Sequence, residues 1–242
     1  AMLNFEIAPA VLRPYVPAGT ELDAYEGRTL ASIVGFRFLH TRVLGVPIPL
    51  HRNFDEVNLR FYVRRADRTG WRRAVVFIRE LVPRPAIAWV ARLAYNEPYR
   101  AVRMRHLVEM DGANEGRPGR VRYEWRQGAR WHGLSAVTSG LPALPEPGSE
   151  AEFITEHYWG YTAQRDGGAK EYRVLHPQWQ VWRAEAEKLD CDIAAVYGAR
   201  FVEALSARPC SCFVAAGSAV TVFGGRRLPT GASWTAEPAP PA

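Results

Sequence analysis

Lysine is almost missing from this 242-residue chain: of its 31 basic residues only Lys170 and Lys188 are lysines. Chemistry that needs an uncharged primary amine therefore has two candidates, because arginine stays protonated at any working pH. Cysteine is scarce as well. Three cysteines cannot all pair within one chain, and "CSC" at 210–212 would close a strained ring, so free, reduced thiols are expected. With no CxxC pair and no HxxxH spacing there is no case for a zinc site, and Cys191, Cys210 and Cys212 read as small, buried apolar fillers. No apolar run approaches the length of a membrane span, so no transmembrane helix is expected. Behind Ala1 and Met2, "LNFEIAP" has neither a basic start nor an apolar signal core, and the expected location is the cytoplasm. Internal repeats are absent too.

What remains is an ordinary globular composition, 48% apolar and 23% charged. The length suits one domain, expected over residues 2–228, with the Pro- and Ala-rich tail 229–242 expected to be disordered. A net charge of +6 raises the question of nucleic acid, but the charge is spread thinly. The densest basic stretch, "RFYVRRADRTGWRR" at 60–73, has a turn signal in its middle and reads as a hairpin with a solvated tip rather than a phosphate-binding edge. Nucleic acid is not an expected partner.

Alternation dominates the pattern. "RTLASIVGFRFLHTRV" (28–43) predicts a strand bending near Gly35. In "FDEVNLRFYVRR", Val57, Leu59, Phe61 and Val63 point one way, while Glu56, Asn58, Arg60 and Tyr62 point the other. That second face either meets water or lines a cavity. Further strands are predicted over 73–81, 99–110, 119–127 and 130–138, and one or two more within 210–225. "PRPAIAWVARLAY" reads as a helix stopped by Pro98. Ser149 and Glu152 have capping-box spacing, which predicts a helix from about 150 to 159 with Phe153, His157 and Tyr161 on its inner face. "KEYRVLHPQWQVWRAEAEKL" alternates, with helix as the other reading. "IAAVYGARFVEAL" has the helical period, weakened at Gly198 by up to about 1 kcal/mol. The expected fold class is α+β, mostly β, with two or three peripheral helices.

Six segments in order, "VPAGTELDAYEGRTLASIVGF", "FDEVNLRFYV", "ARLAYNEPYRAVRM", "EFITEHYWGYT", "VLHPQWQVW" and "AAGSAVTVFGG", resemble the YqjF-like proteins, an uncharacterised bacterial family of the acetoacetate decarboxylase-like superfamily. The resemblance runs from about residue 10 to 225. It implies a closed β-cone or barrel with a central, solvent-poor cavity. The decarboxylases carry Tyr-x-Glu in one strand and, after a helix, Gly-Arg-Glu-x-x-Gly-Phe-Pro-Lys-Lys, whose first lysine forms a Schiff base while its cationic neighbour lowers its pKa.

On this sequence "FDE" matches the first motif and puts Glu56 at its glutamate. "ARLAYNEPYR" matches the second, with Arg92 at the arginine, Pro98 at the proline, Tyr99 at the Schiff-base lysine and Arg100 at its neighbour. A phenol cannot form an iminium, so Schiff-base decarboxylation does not carry over. Lys170 and Lys188, the remaining amines, are expected in a loop and in a solvated charged stretch. Tyr99, Arg100 and Glu56 are the candidate catalytic residues: a phenol whose pKa Arg100 lowers, beside a general base. Arg60, Arg79, Arg92, Arg103, His157 and Tyr161 are candidate substrate-binding residues, the arginines for a carboxylate. His176 is a further residue of the family pattern.

Two readings stay open. The first is a lyase or isomerase without a Schiff base, acting on a small carbonyl or carboxylate compound; the second is a non-catalytic protein that binds such a compound. A buried network, with Arg100 salt-bridged to Glu56 and Tyr99 capping the pair, accounts for the same side chains structurally. No cofactor and no metal is expected, and an edge-rich β domain suits a homo-oligomer.

Overall fold

The structure, a computed structural model, describes residues 1–43, 46–47, 52–67, 70–89 and 96–228. The tail from 229 lies outside them. The strands are β1 (Met2–Glu6), β2 (Glu21–Leu22), β3 (Leu30–Phe38), β4 (Arg42–Val43), β5 (Val46–Pro47), β6 (Phe54–Asp67), β7 (Gly70–Val82), β8 (Tyr99–Ala101) and β9 (Arg103–Glu109). After them come β10 (Arg120–Gln127), β11 (Arg130–Ala143), β12 (Trp159–Ala163), β13 (Ala169–Leu175), β14 (Val181–Asp190), β15 (Ser211–Ala215), β16 (Thr221–Val222) and β17 (Arg226–Leu228). Short helices punctuate them: α1 (Pro9–Leu12), α2 (85–89), α3 (Glu150–Thr155), α4 (Ile193–Val196) and α5 (Val202–Ser206). None of the described helices is long and apolar enough to cross a membrane.

Apart from the β4–β5 hairpin, the strands form one sheet in the order β16-β13-β12-β7-β6-β3-β1-β15-β14-β11-β10-β9, with β17 on β13, β2 on β6 and β8 on β7. The expected closed cone is corrected here: among the described residues no pairing joins β9 to β16, so the sheet curls but stays open. The outer edge of β7 is shared, with β12 against Ala74 and Val75 and β8 against Glu80 to Val82; among the described residues β9 pairs only with β10.

The curl brings one face of β1, β3, β6 and β7 onto β10, β11 and β14. Leu3, Ile33, Leu59, Phe61 and Val76 meet Val121, Trp125, Leu134 and Ala136 there, with Phe201 and Leu205 from the helical segment. Each such side chain contributes about 2 kcal/mol on burial. The opposite face of β3, β6 and β7 is covered by α3, whose Phe153 and Ile154 pack on Leu30, Val34, Tyr62 and Val75. The two-faced reading of β6 therefore holds. Gly35 has no room for a side chain, because a β-carbon would stand 2.6 Å from the Tyr123 ring.

Two helical expectations change. The helix after Ser149 is capped as predicted, Ser149 accepting from the Glu152 amide at 3.2 Å, but it ends at Thr155, and the chain enters β12 instead of carrying His157 and Tyr161 around a helix. The helix expected over 193–205 breaks at Gly198, whose φ of 108° is outside helical geometry, into α4, a 3-10 turn and α5. Of the helix expected before Pro98, residues 85–89 are helical and 90–95 lie outside the described residues. The segment 181–190 is a strand. Cys212 is buried as expected, whereas Cys210 is exposed.

Candidate functional site

A one-residue irregularity builds the site. The β6–β7 register shifts between Leu59 and Arg60, with Leu59 opposite Arg79 and Arg60 opposite Phe77. Such a bulge swaps the face on which later side chains emerge. Ala74 and Val76 consequently sit in the main core, while Glu80, an even-numbered residue of the same strand, stands beside Asn58 on the face that carries Glu56.

Parallel pairing then places Tyr99 of β8 next to Glu80. The Tyr99 hydroxyl donates to Glu56 Oε2 at 3.1 Å, and Asn58 Nδ2 donates to Glu56 Oε1 at 3.0 Å. Glu97 precedes this strand in a tight turn. Asn96 adopts a φ of 58° there and ties its side chain to the Ala163 carbonyl at 2.8 Å. Glu97 Oε1 accepts from the Thr162 hydroxyl at 2.5 Å and the Tyr172 hydroxyl at 3.1 Å. Tyr172 reaches it by lying flat over Gly160, its cross-strand neighbour, where a β-carbon would overlap the phenol ring. Glu56, Glu80 and Glu97 are all buried.

Three carboxyls buried side by side cannot all ionise. Burial pushes Glu56 up to about 7 against the opposing hydrogen bonds from Asn58 and Tyr99. Glu97 also rises to about 7 through burial, opposed by Thr162 and Tyr172. Glu80 is held well above the carboxylate range by burial, then by the charges of Glu97 and Glu56. Glu80 Oε2 and Glu97 Oε2 are buried with no hydrogen-bond partner, and the interaction between the two carboxyls raises Glu80. Of the three carboxyls, Glu80 is the one that burial and its neighbours hold most firmly towards its protonated form.

The expectation that Arg100 would lower the Tyr99 pKa is overturned. Burial and the charges of Glu56, Glu80 and Glu97 raise Tyr99 well above 10, so it is a neutral hydrogen-bond donor. Arg100 is exposed, aligned with Leu81 rather than Glu80, and makes no ion pair among the described residues, so the Arg100–Glu56 bridge does not form.

The other candidates divide. Arg60 shares the Glu56 face; its Nη2 donates to the Ile154 carbonyl at 3.1 Å, while its Nε is buried without a partner. His157 lies close by, stacked on Tyr62 at 4.7 Å, and neither ring nitrogen has a hydrogen-bond partner. Burial, followed by Arg73 and Arg60, drives its pKa well below 6.5. Arg79, opposite Leu59, belongs to the other face of the sheet, near Tyr197. Arg103 is exposed on β9 opposite Arg126, away from the carboxyls. Arg92 lies outside the described residues. Tyr161 points into the main core, donating to Glu171 Oε2 at 2.6 Å. His176 is stacked between Tyr158 at 4.9 Å and Trp179 at 4.2 Å.

Glu171 also gathers Arg72 at 2.9 Å, Arg226 at 3.1 Å and Arg65 at 3.3 Å. Two arginines of the basic hairpin are thus engaged by an internal carboxylate, not left in a solvated tip. Lys188 is exposed and paired with Asp190 at 3.1 Å. Lys170 departs from the loop expected for it: it is half-buried in β13, opposite Thr162, and its charge favours ionised Glu97.

Sequence reasoning missed Glu80, Glu97, Thr162 and Tyr172. The available signals were a glutamate in the largely apolar run "VVFIREL" and another between Asn96 and Pro98.

Comparison with solved structures confirms the fold. The chain resembles the enduracididine biosynthesis enzyme MppR complexed with pyruvate, with a TM-score of 0.60 and 13% identity over 93% of this chain and 86% of that one. It also resembles an acetoacetate decarboxylase-like enzyme from Sphingomonas wittichii RW1, with a TM-score of 0.58 and 14% identity over 95% of this chain and 90% of that one. Acetoacetate decarboxylase from Legionella pneumophila gives 0.53 and 14% over 95% and 81%. This structural likeness shows an acetoacetate decarboxylase-like fold. In sequence the chain is 30% identical over 185 residues to the uncharacterised protein YqjF of Bacillus subtilis (strain 168), covering 76% of this chain and 72% of that protein. With residues 1–219 matched, the chain belongs to the DUF2071 family of uncharacterised conserved proteins.

Proposed function

We propose that this protein moves protons on a small carbonyl compound without forming a Schiff base. The observation that carries the reading is the Tyr99–Glu56 hydrogen bond of 3.1 Å, which joins a neutral phenol to a carboxyl whose pKa is about 7. A general base works best when its pKa lies near the working pH, and a neutral donor stabilises the oxyanion that develops. In the proposed step ionised Glu56 takes a proton from the carbon beside the carbonyl. The C–H electrons become the enolate double bond, the carbonyl π electrons move to oxygen, and Tyr99 turns its hydrogen bond to that oxygen. Return of the proton to carbon regenerates Glu56. The protonated Glu80, beside Tyr99, keeps a second negative charge away from the enolate.

The buried, unpartnered Arg60 Nε and the two unpartnered nitrogens of His157 support an anionic group of the ligand, such as a carboxylate, at the other end of the same face. A second reading is binding without turnover. It is favoured by the complete hydrogen bonding of Glu56, whose two oxygens are both taken in the unliganded arrangement.

The test is α-proton exchange. Ketones and keto acids are incubated in deuterated water with wild type and Glu56→Gln, and exchange is followed by NMR. Enzyme-dependent exchange that falls at least about a hundredfold in Glu56→Gln supports proton transfer. Ligand-dependent thermal stabilisation with no exchange supports the binding reading. A borohydride-stable adduct on Lys170, read by intact mass, overturns the amine-free chemistry.

A further inference from the structure

Among the described residues the sheet ends at β9, an edge strand that carries charge but no lysine, proline or bulge. Edge strands are normally blunted by charged side chains, lysine above all, by proline or by a bulge that discourages pairing with another chain. β9, "RMRHLVE", has no proline or glycine, pairs with β10 without a register shift, and is exposed at every residue except Met104. Leu107 and Val108 are 38% and 42% exposed. The charges at its two ends are opposite, Arg103 at the start and Glu109 at the finish, and neither makes an ion pair among the described residues. Arg105 is different, held by Glu124 in a two-pronged bridge of 2.8 and 2.9 Å.

We propose that β9 pairs antiparallel with β9 of a second copy of this chain, across a two-fold axis at His106. Antiparallel pairing about His106 sets Arg103 opposite Glu109 of the second copy, Met104 opposite its Val108 and Arg105 opposite its Leu107. The strand is therefore complementary to itself in both charge and apolar content, as a two-fold interface requires. It also answers a conflict within the chain. Arg103 stands directly across from Arg126 of β10, and like charges in that position destabilise a sheet. Glu109 of the second copy would neutralise Arg103 from its free side. His106 does not obstruct the edge, since its Nδ1 bonds Asp55 Oδ2 at 2.9 Å on the inner face. Pairing extends the curled sheet into a continuous two-copy sheet and covers Leu107 and Val108.

The experiment is sedimentation of the full chain over a dilution series. Wild type should form a reversible dimer. Arg103→Glu puts glutamates opposite each other at both ends, and Glu109→Arg does the same with arginines, so each variant alone should dimerise about tenfold more weakly. Mixing the two variants restores an Arg–Glu pair at each end and should recover wild-type association, which a misfolded variant cannot do. Circular dichroism confirms that each is folded. A wild type that stays monomeric overturns the proposal, and so do single variants that associate as wild type does. A mixture no stronger than its components also overturns it and points to another surface or an unrelated strand as the occupant.

Discussion

The ring of Tyr172 lies across Gly160 on the neighbouring strand, and that overlap lets its hydroxyl reach Glu97 at 3.1 Å. Gly160→Ala should push the ring away, leave Glu97 with Thr162 alone and cost about 2–3 kcal/mol through overpacking and a lost buried hydrogen bond. Urea unfolding would show a lower midpoint with an unchanged slope. In a Tyr172→Ala background the same alanine should cost less than about 0.5 kcal/mol, because the ring it strikes is gone. Equal costs in both backgrounds would mean that the strand backbone, not the phenol, needs glycine.

Restoring a lysine at position 99 should not restore imine chemistry. A Schiff-base lysine works as a free amine, and a cationic neighbour helps by lowering its pKa. Here the neighbours are Glu56, Glu80 and Glu97, and Arg100 points away. Carboxylates hold an ammonium in its charged form. Tyr99→Lys should therefore give no borohydride-trapped adduct with pyruvate or acetoacetate at pH 7, as read by intact mass. Adduct formation at neutral pH would show that the surroundings of position 99 are less acidic than the three glutamates imply.

Those glutamates also set how stability depends on pH. A carboxyl raised from 4.5 to about 7 holds its proton more tightly when folded. Its contribution is complete below pH 4.5 and is lost as pH rises through 7, to a total of about 3 kcal/mol for one such group. His157 acts in the opposite sense, because its lowered pKa removes stability as pH falls below 6.5. Between pH 6.5 and 8 the carboxyls dominate, because His157 of the unfolded chain is already half deprotonated at pH 6.5. Glu80→Gln removes one proton-binding group whose pKa is raised, so its unfolding free energy should fall less over that window than that of wild type. Parallel curves for the two proteins would contradict a proton held at Glu80.

How far this site was legible differs residue by residue. The two faces of β6 followed from a period of two, since each side chain from Glu56 to Val63 lies where alternation puts it. Tyr99 beside Glu56 came from motif resemblance, because no periodicity links residues 43 positions apart. Glu80 was hidden by the bulge at Leu59–Arg60: counted from Val76 by alternation it belongs in the core, and only the extra residue turns it to the site. His157 and Tyr161 were joined by a helical spacing that α3 does not sustain beyond Thr155. Arg79 and Arg103 matched a need for positive charge, but their strands present them elsewhere.

His157 separates a ligand pocket from packing. Its ring stacks on Tyr62 and meets Phe153 edge-on, contacts that a phenylalanine would reproduce. Its two nitrogens are buried and unpartnered, and an unmade buried hydrogen bond costs about 1–3 kcal/mol. His157→Phe should therefore stabilise the unliganded protein by about 1 kcal/mol, seen as a higher midpoint in urea. If Arg60 and His157 together receive an anionic group, the variant should also lose the thermal stabilisation that millimolar pyruvate or acetate gives wild type. A stabilised variant that still responds to these anions would assign them to Arg60 without His157. A destabilised one would mean that the ring nitrogens are satisfied in solution by a bound water, whose loss the phenylalanine cannot replace.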